Sequence, residues 1–156
     1  MSNEPSMLLG FLLLEETVMN TKIYKRVLSL AESLLKAANK KDQITFDALY
    51  SELNAICLEH EGDEKDHPVQ WETLADFTDD IKKATEIYRT ALEKAEMIES
   101  ADFCSSIRFS LASMLIELGK TEEAIEVLRE AKVVSANIED KALKNEIHDL
   151  LQSLIN

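Results

Sequence analysis

Over most of the chain, apolar residues recur every three or four positions, which is the spacing of an amphipathic helix. The first such stripe covers residues 23–38, and the second covers 46–56 and ends near residue 60. Residues 39–42 interrupt the pattern, with Asn39 suited to the position after a helix and Asp42 suited to an N-cap. These two stripes predict a helical hairpin.

The segment 61–68 is the clearest loop, because it combines a glycine, a proline and a run of charges. Helical spacing resumes at 71–77 and continues at 81–98. Residues 78–80 suit a cap and a first helical turn, but no glycine or proline requires a break there. The sequence therefore leaves one long helix or two shorter ones open for residues 69–98.

The last third of the chain predicts three more helices. Ser100 restarts the helical pattern, and an apolar stripe covers 107–118. Gly119 is predicted to end that helix and Thr121 to cap the next one. Apolar stripes at 125–134 and 143–154 complete a set of about seven short antiparallel helices. Because the chain has only 3 Gly and 2 Pro, it offers little turn chemistry for a β-sandwich or barrel, and we expect an all-α fold.

One internal repeat stands out. Residues 84–91 and 124–131 both read alanine, three residues, a large residue, two residues and alanine, at an offset of 40. Within 105–138, Leu111-Ala112 and Gly119 precede the second copy. This order of residues resembles the repeat pattern of the tetratricopeptide repeat family. The resemblance implies antiparallel helical hairpins stacked as a short right-handed superhelix.

The chain departs from the family pattern at several positions. The offset of 40 exceeds the usual 34, and Ala136 occupies the position of the usual proline. Glu72 stands where the family has a small residue, and Asp79 where it has glycine. The N-terminal pair at 21–60 has Ala48 as its only anchor residue.

The resemblance implies a binding site in a concave groove lined by the first helix of each pair. Phe77 and Phe109 are the expected anchors, since partly exposed aromatic residues dominate peptide interfaces. The family members that grip a terminal carboxylate use Lys, Asn and Arg, which are absent from these positions. The predicted groove residues are Gln70, Thr73, Asp76, Phe77, Ser106, Phe109, Ser110, Ser113 and Glu117.

The charge balance narrows the class of partner. The net charge is −13, and residues 61–100 hold 12 acids against 5 bases. Nucleic acid and anionic membranes are repelled by this balance, whereas a basic protein or peptide is attracted. We therefore expect a basic protein partner, no nucleic acid and no membrane.

The sequence carries no pattern that predicts catalysis, a metal or a cofactor. It has no nucleophile motif, glycine-rich phosphate loop or HExxH. Histidines and acids at 60–67 are metal-ligand types without zinc or calcium spacing. Cys57 and Cys104 lie in apolar stretches, so we expect buried, reduced thiols and a cytoplasmic protein.

Residues 1–20 form an N-terminal extension ahead of the single helical domain predicted for 21–156. Its apolar run, Met7–Leu14, lacks the basic flank and cleavage site of a signal peptide and is too short to span a bilayer. Two interpretations stay open. The run is a short helix that covers the core, or the native chain begins at Met19.

Together these observations predict a non-enzymatic module that binds a peptide or protein segment in a helical groove. Two alternatives share the acidic character: a small secretion chaperone, which such repeats also build, and a toxin-neutralising or regulatory protein that occludes a basic partner. An apolar groove would favour the chaperone, whereas an acidic groove would favour occlusion of a basic partner. Titratable groups that converge in a pocket and have shifted pKa values would favour an enzyme. The sequence identifies neither the partner nor the oligomeric state.

Overall fold

The computed structural model describes residues 21–156, and the predicted extension at 1–20 lies outside this range. The described chain is all-α, as predicted, with seven α-helices and no strand. None of these helices has both the length and the hydrophobicity needed to cross a membrane. The helices are α1 (Thr21–Asn39), α2 (Gln43–Glu59), α3 (Pro68–Asp76), α4 (Ile81–Met97), α5 (Ala101–Glu117), α6 (Thr121–Val134) and α7 (Lys141–Ile155), with a 3-10 helix at Ser135–Asn137.

The helices pack in chain order. Each contacts the next one, and the short connections make successive helices antiparallel. A second set of contacts joins α1 to α3, α3 to α5 and α5 to α7. The first helices of the three hairpins and the final helix are therefore neighbours.

Small residues allow the hairpin helices to approach closely. Ala84 and Ala91 on α4 and Ala124 and Ala131 on α6 are all buried. Between them, large residues fill the core, because close packing leaves no space for voids. The largest fully buried apolar side chains are Leu30, Leu34, Leu53, Leu74, Ile107, Leu111, Leu115, Leu128 and Ile147.

Three helices end with the same left-handed turn. Gly119 has a φ of 76°, and the amide of Lys120 donates to the carbonyl of Leu115 at 2.8 Å, which is the Schellman arrangement. Lys41 and Glu99 take the equivalent position after α1 and α4, with φ values of 56° and 53°. The predicted role of Gly119 is thus confirmed, and two non-glycine residues adopt the same conformation.

The structure settles the question left open for residues 69–98. Two helices are present, since α3 ends at Asp76 and Asp80 caps α4 by accepting from the amide of Lys83 at 3.0 Å. Asp42 caps α2 as predicted, accepting from the amide of Thr45. The prediction for Thr121 was wrong. Lys120 is the N-cap of α6 without a side-chain hydrogen bond, because the Schellman turn at Gly119 leads directly into the helix.

The N-terminal hairpin has a different register from the later ones. Ala48, its predicted anchor, is exposed, whereas Ala84 and Ala124 are buried. The buried side of α2 instead carries Leu53 and Cys57. Packing of Phe46 and Tyr50 on the same side turns Ala48 toward solvent.

The loop before α3 is held by a buried acid. Asp66 accepts hydrogen bonds from the amide of Gly62 at 2.9 Å and the indole of Trp71 at 2.8 Å. Lys94 on α4 forms an ion pair with it at 2.8 Å, with side chains only 15% and 8% exposed for Lys94 and Asp66. These bonds join the loop to both helices of the second hairpin.

Candidate functional site

The contact between α3 and α5 presents a polar, partly accessible face. Asp76 on α3 and Glu117 on α5 are exposed, and Ser106 and Ser110 are half-buried. Because α5 places Ser106, Ser110, Ser113 and Glu117 at three- and four-residue intervals, these side chains lie on one face of the helix. Because α3 and α5 are in contact, Asp76 and this face of α5 lie on neighbouring helices.

Two carboxylates one helical turn apart form the centre of this face. The hydroxyl of Ser106 donates to Oε2 of Glu72 at 2.7 Å, which links α5 to α3. The hydroxyl of Tyr88, on α4, donates to Oδ1 of Asp76 at 2.6 Å. Both donors are neutral, and among the ion pairs of residues 21–156 none includes Glu72 or Asp76. We call Glu72 and Asp76 the carboxylate pair.

The surroundings of the carboxylate pair disfavour its negative charge. Burial, and then the charge of Asp76, raise the pKa of Glu72, while the hydrogen bond from Ser106 opposes the shift. Burial also raises the pKa of Asp76, although this side chain stays accessible to solvent, because the neighbouring helices restrict its hydration. Burial and the adjacent Asp76 raise the pKa of Tyr88, so this residue acts as a hydrogen-bond donor. No basic group of residues 21–156 forms an ion pair with either carboxyl group to offset these shifts.

Gln70 does not lie on this face. Its side chain is 1% exposed and its Nε2 donates to the carbonyl of Lys65 at 2.9 Å, so it supports the loop before α3. The expectation that it lines a groove is corrected accordingly. The reason is local, since Val69, Gln70 and Trp71 all become buried where the loop packs over the start of α3.

The two predicted aromatic anchors have different surroundings. Phe77 is half-buried at the end of α3, and its ring meets that of Phe46 on α2 at 6.3 Å and 62°. Phe109 is half-buried on α5 and packs against the core. Both rings keep part of their surface accessible, and Phe77 lies next to Asp76 in the chain.

Two of the predicted groove residues use their hydroxyl groups in hydrogen bonds to the backbone of their own helices. Thr73 donates to the carbonyl of Val69 at 2.6 Å, and Ser113 donates to that of Phe109 at 3.1 Å. Such bonds to the preceding turn are common for Ser and Thr inside helices. These two residues contribute surface to the face, and their hydroxyl protons are occupied.

The other reactive residue types have structural partners. Cys57 and Cys104 are buried and free, as predicted, and burial raises the pKa of Cys57 to about 12. His67 caps α3 by accepting from the amide of Val69, and His60 pairs with Asp63. Within residues 21–156 there is no group of three or more His, Cys, Asp or Glu side chains that could hold a metal ion.

Comparison with known protein families, curated proteins and solved structures finds no match to this chain. The class of the protein is therefore defined by its architecture: an all-α protein of serially packed helical hairpins.

Sequence reasoning missed Glu72 and Tyr88 as members of the site. The repeat pattern marks Glu72 only as a departure from the family and Tyr88 only as its large residue. The useful signal was the spacing, since Glu72 and Asp76 are four residues apart and share one face of a helix. Like charges at that spacing are unfavourable, which is a reason to look for a ligand.

Proposed function

We propose that this protein is a non-enzymatic binding module that takes a basic peptide or protein segment on the face between α3 and α5. The observation that carries the proposal is the carboxylate pair, Glu72 and Asp76, which has neutral hydrogen-bond donors and no cationic partner among the described residues. A lysine or arginine side chain of the partner completes this arrangement.

Each carboxylate is held in surroundings that raise its pKa, so the ionised pair destabilises the free protein. A partner cation between the carboxylates removes this penalty and forms charge-assisted hydrogen bonds. Binding is then favoured relative to a surface where the acids already have basic neighbours.

The arrangement of helices supports the same proposal. α1, α3, α5 and α7 contact one another in series, and the small residues of the internal repeat are buried between paired helices. Both properties are expected of a tetratricopeptide-like array, in which the first helix of each pair faces the ligand. Phe77 on α3 and Phe109 on α5, both half-buried, then supply apolar contacts.

A second candidate function rests on the same residues. Two carboxyl groups with raised pKa values and a neighbouring tyrosine are also a combination used in general acid–base catalysis. Binding is better supported, because the groups in hydrogen-bond contact with the pair are neutral hydroxyls that provide neither a nucleophile with its base nor an anion-stabilising cation.

The test compares matched charge changes. Cytoplasmic proteins captured by the immobilised chain are identified, and the affinity of the basic segment that binds is measured by calorimetry. We expect Glu72→Gln with Asp76→Asn to weaken binding at least tenfold. Glu126→Gln with Glu130→Gln removes two exposed acids at the same spacing on α6 and is expected to change affinity less than threefold.

Phe77→Ala and Phe109→Ala test the apolar part of the proposed site. Each is expected to weaken binding while circular dichroism shows an intact helical fold. Equal affinities for the carboxylate-pair variant and the α6 control would place the binding surface elsewhere. Turnover of a captured compound that is lost in the carboxylate-pair variant would favour the catalytic alternative.

A further inference from the structure

Helix α1 has a second apolar face besides the one that faces the core. Val27, Leu30 and Leu34 are buried under α2 and α3. Leu28, Ala31, Leu35 and Ala38 follow at three- and four-residue intervals along the adjoining side of the helix, where Leu28 and Ala31 are half-buried and Leu28 packs in part against the core. We call these four residues the second α1 face. Leu35 is 56% exposed, and Ala38 is also exposed.

The chain itself contains a segment that suits this face. Residues 7–14 are apolar throughout, apart from one glycine, and six residues, 15–20, connect them to the start of α1. Eight residues in a helix rise about 12 Å, and Leu28 to Leu35 spans about 10 Å along α1. A connection of six residues extends up to about 20 Å, so it reaches from Thr21 to Leu28 when the segment runs antiparallel to α1.

Charge favours the same occupant. Glu15 and Glu16 follow the apolar run directly, and α1 exposes Lys22, Lys25 and Lys36. A second copy of the chain brings a net charge of −13 toward an equal charge, which opposes self-association. The tethered segment also has a high effective concentration that a separate molecule lacks.

We propose that residues 7–14 of this chain dock on the second α1 face, with Leu35 beneath them. The proposal is independent of the partner site between α3 and α5.

Thiol labelling tests this directly, because Cys57 and Cys104 are both buried. Leu35→Cys is introduced into the full chain with and without Leu9→Asp and Leu12→Asp, and its rate of reaction with a thiol reagent is measured. We expect the thiol to react at least about fivefold more slowly when the apolar run is intact. Equal rates in the two backgrounds would overturn the proposal.

Two controls separate this result from others. Ile44→Cys, at an α2 position that is 85% exposed, should react at the same rate in both backgrounds. Ala38→Cys, one turn beyond Leu35, is a second reporter if the first variant is poorly folded. Labelling that accelerates on dilution, together with a dimer in sedimentation velocity, would show that a second copy covers the face and would also overturn the proposal.

Discussion

The indole Nε1 of Trp71 donates to Oδ1 of Asp66 at 2.8 Å, and through this bond the loop before α3 is joined to the helix that follows it. Burial alone would raise the pKa of Asp66, but the hydrogen bonds from Gly62, Lys94 and Trp71 outweigh burial and lower it. The carboxylate is thus ionised and held by three donors.

Removal of this carboxylate is expected to be costly. Asp66→Ala leaves Lys94 without its partner at a site where the two side chains are 15% and 8% exposed, and we expect a loss of about 3 kcal/mol in the free energy of unfolding. Urea unfolding followed by the fluorescence of Trp71, the only tryptophan, measures it. The exposed pair Arg26–Glu52 is the control, and Arg26→Ala should cost less than about 1 kcal/mol. Similar losses in the two variants would contradict the assigned role of Asp66.

Acid is expected to destabilise the protein through His67. Burial lowers the pKa of His67 from 6.5 to about 4, although Asp66 acts in the opposite direction. Between these two values the unfolded chain binds more protons than the folded one, so stability falls as the pH is lowered. The full shift corresponds to about 3 kcal/mol.

The variant His67→Asn keeps a side chain that is able to cap α3 and removes the titration. Its free energy of unfolding should therefore fall less between pH 7 and pH 4 than that of the wild type. The exposed His148 provides the comparison, and His148→Asn should retain the wild-type pH dependence. An unchanged acid dependence in His67→Asn would remove His67 as the cause.

The carboxylate pair predicts the opposite pH dependence. The pKa of Glu72 is raised, so this residue keeps its proton to a higher pH in the folded protein than in the unfolded chain. The contribution of Glu72 to stability therefore declines as the pH rises from its unfolded-state pKa toward its folded-state pKa. Glu72→Gln should match the wild type near pH 4 and exceed it by about 1 kcal/mol at pH 8. Thermal unfolding at the two pH values, with Glu126→Gln as control, measures this difference. A variant less stable than the wild type at pH 8 would contradict it.

The left-handed turns predict opposite effects of two substitutions on the free energy of unfolding. Gly119→Ala should destabilise by about 1 kcal/mol, and the reason is its backbone alone, since a Cβ there meets no atom within 4 Å. Glu99→Gly, at a φ of 53°, should stabilise by a similar amount or slightly less. Chemical denaturation measures both changes, and stabilisation of the protein by Gly119→Ala would refute the turn assignment.

Overpacking distinguishes the buried repeat alanines from the N-terminal one. Ala91→Leu inserts three carbon atoms where the side chain is fully buried and should cost about 3 kcal/mol or more. Ala48→Leu makes the same change at an exposed position of α2 and should stay within about 0.5 kcal/mol of the wild type. Equal costs would mean that the two hairpins share one register after all.

Local signals made much of the fold predictable. Asp42 and Gly119 were identified correctly because an N-cap and a Schellman turn depend on hydrogen bonds within a few residues. No glycine or proline marks the end of α3 at Asp76, and the separation from α4 depends on the N-cap at Asp80.

The site was less predictable, since it depends on which side of each helix meets its neighbours. Spacing placed Ser106, Ser110 and Asp76 on accessible faces, but Gln70 is buried by a loop whose path no local pattern encodes. Ala48 illustrates the same limit, because it is the predicted anchor of the first hairpin and yet is exposed. The partner of Glu72 lies 34 residues away, at Ser106, and only the fold brings the two together.

The serial packing of the helices has a consequence for how the chain reaches its structure. Each helix contacts its neighbours in sequence, and α1, α3, α5 and α7 also contact one another in series, so contacting residues are close along the chain. The entropy lost in closing such short loops is small, and chains of this low contact order fold on a time scale on the order of milliseconds or faster. The α5–α6 hairpin, with its glycine turn and buried alanines, is an example of a unit built from residues that are close along the chain.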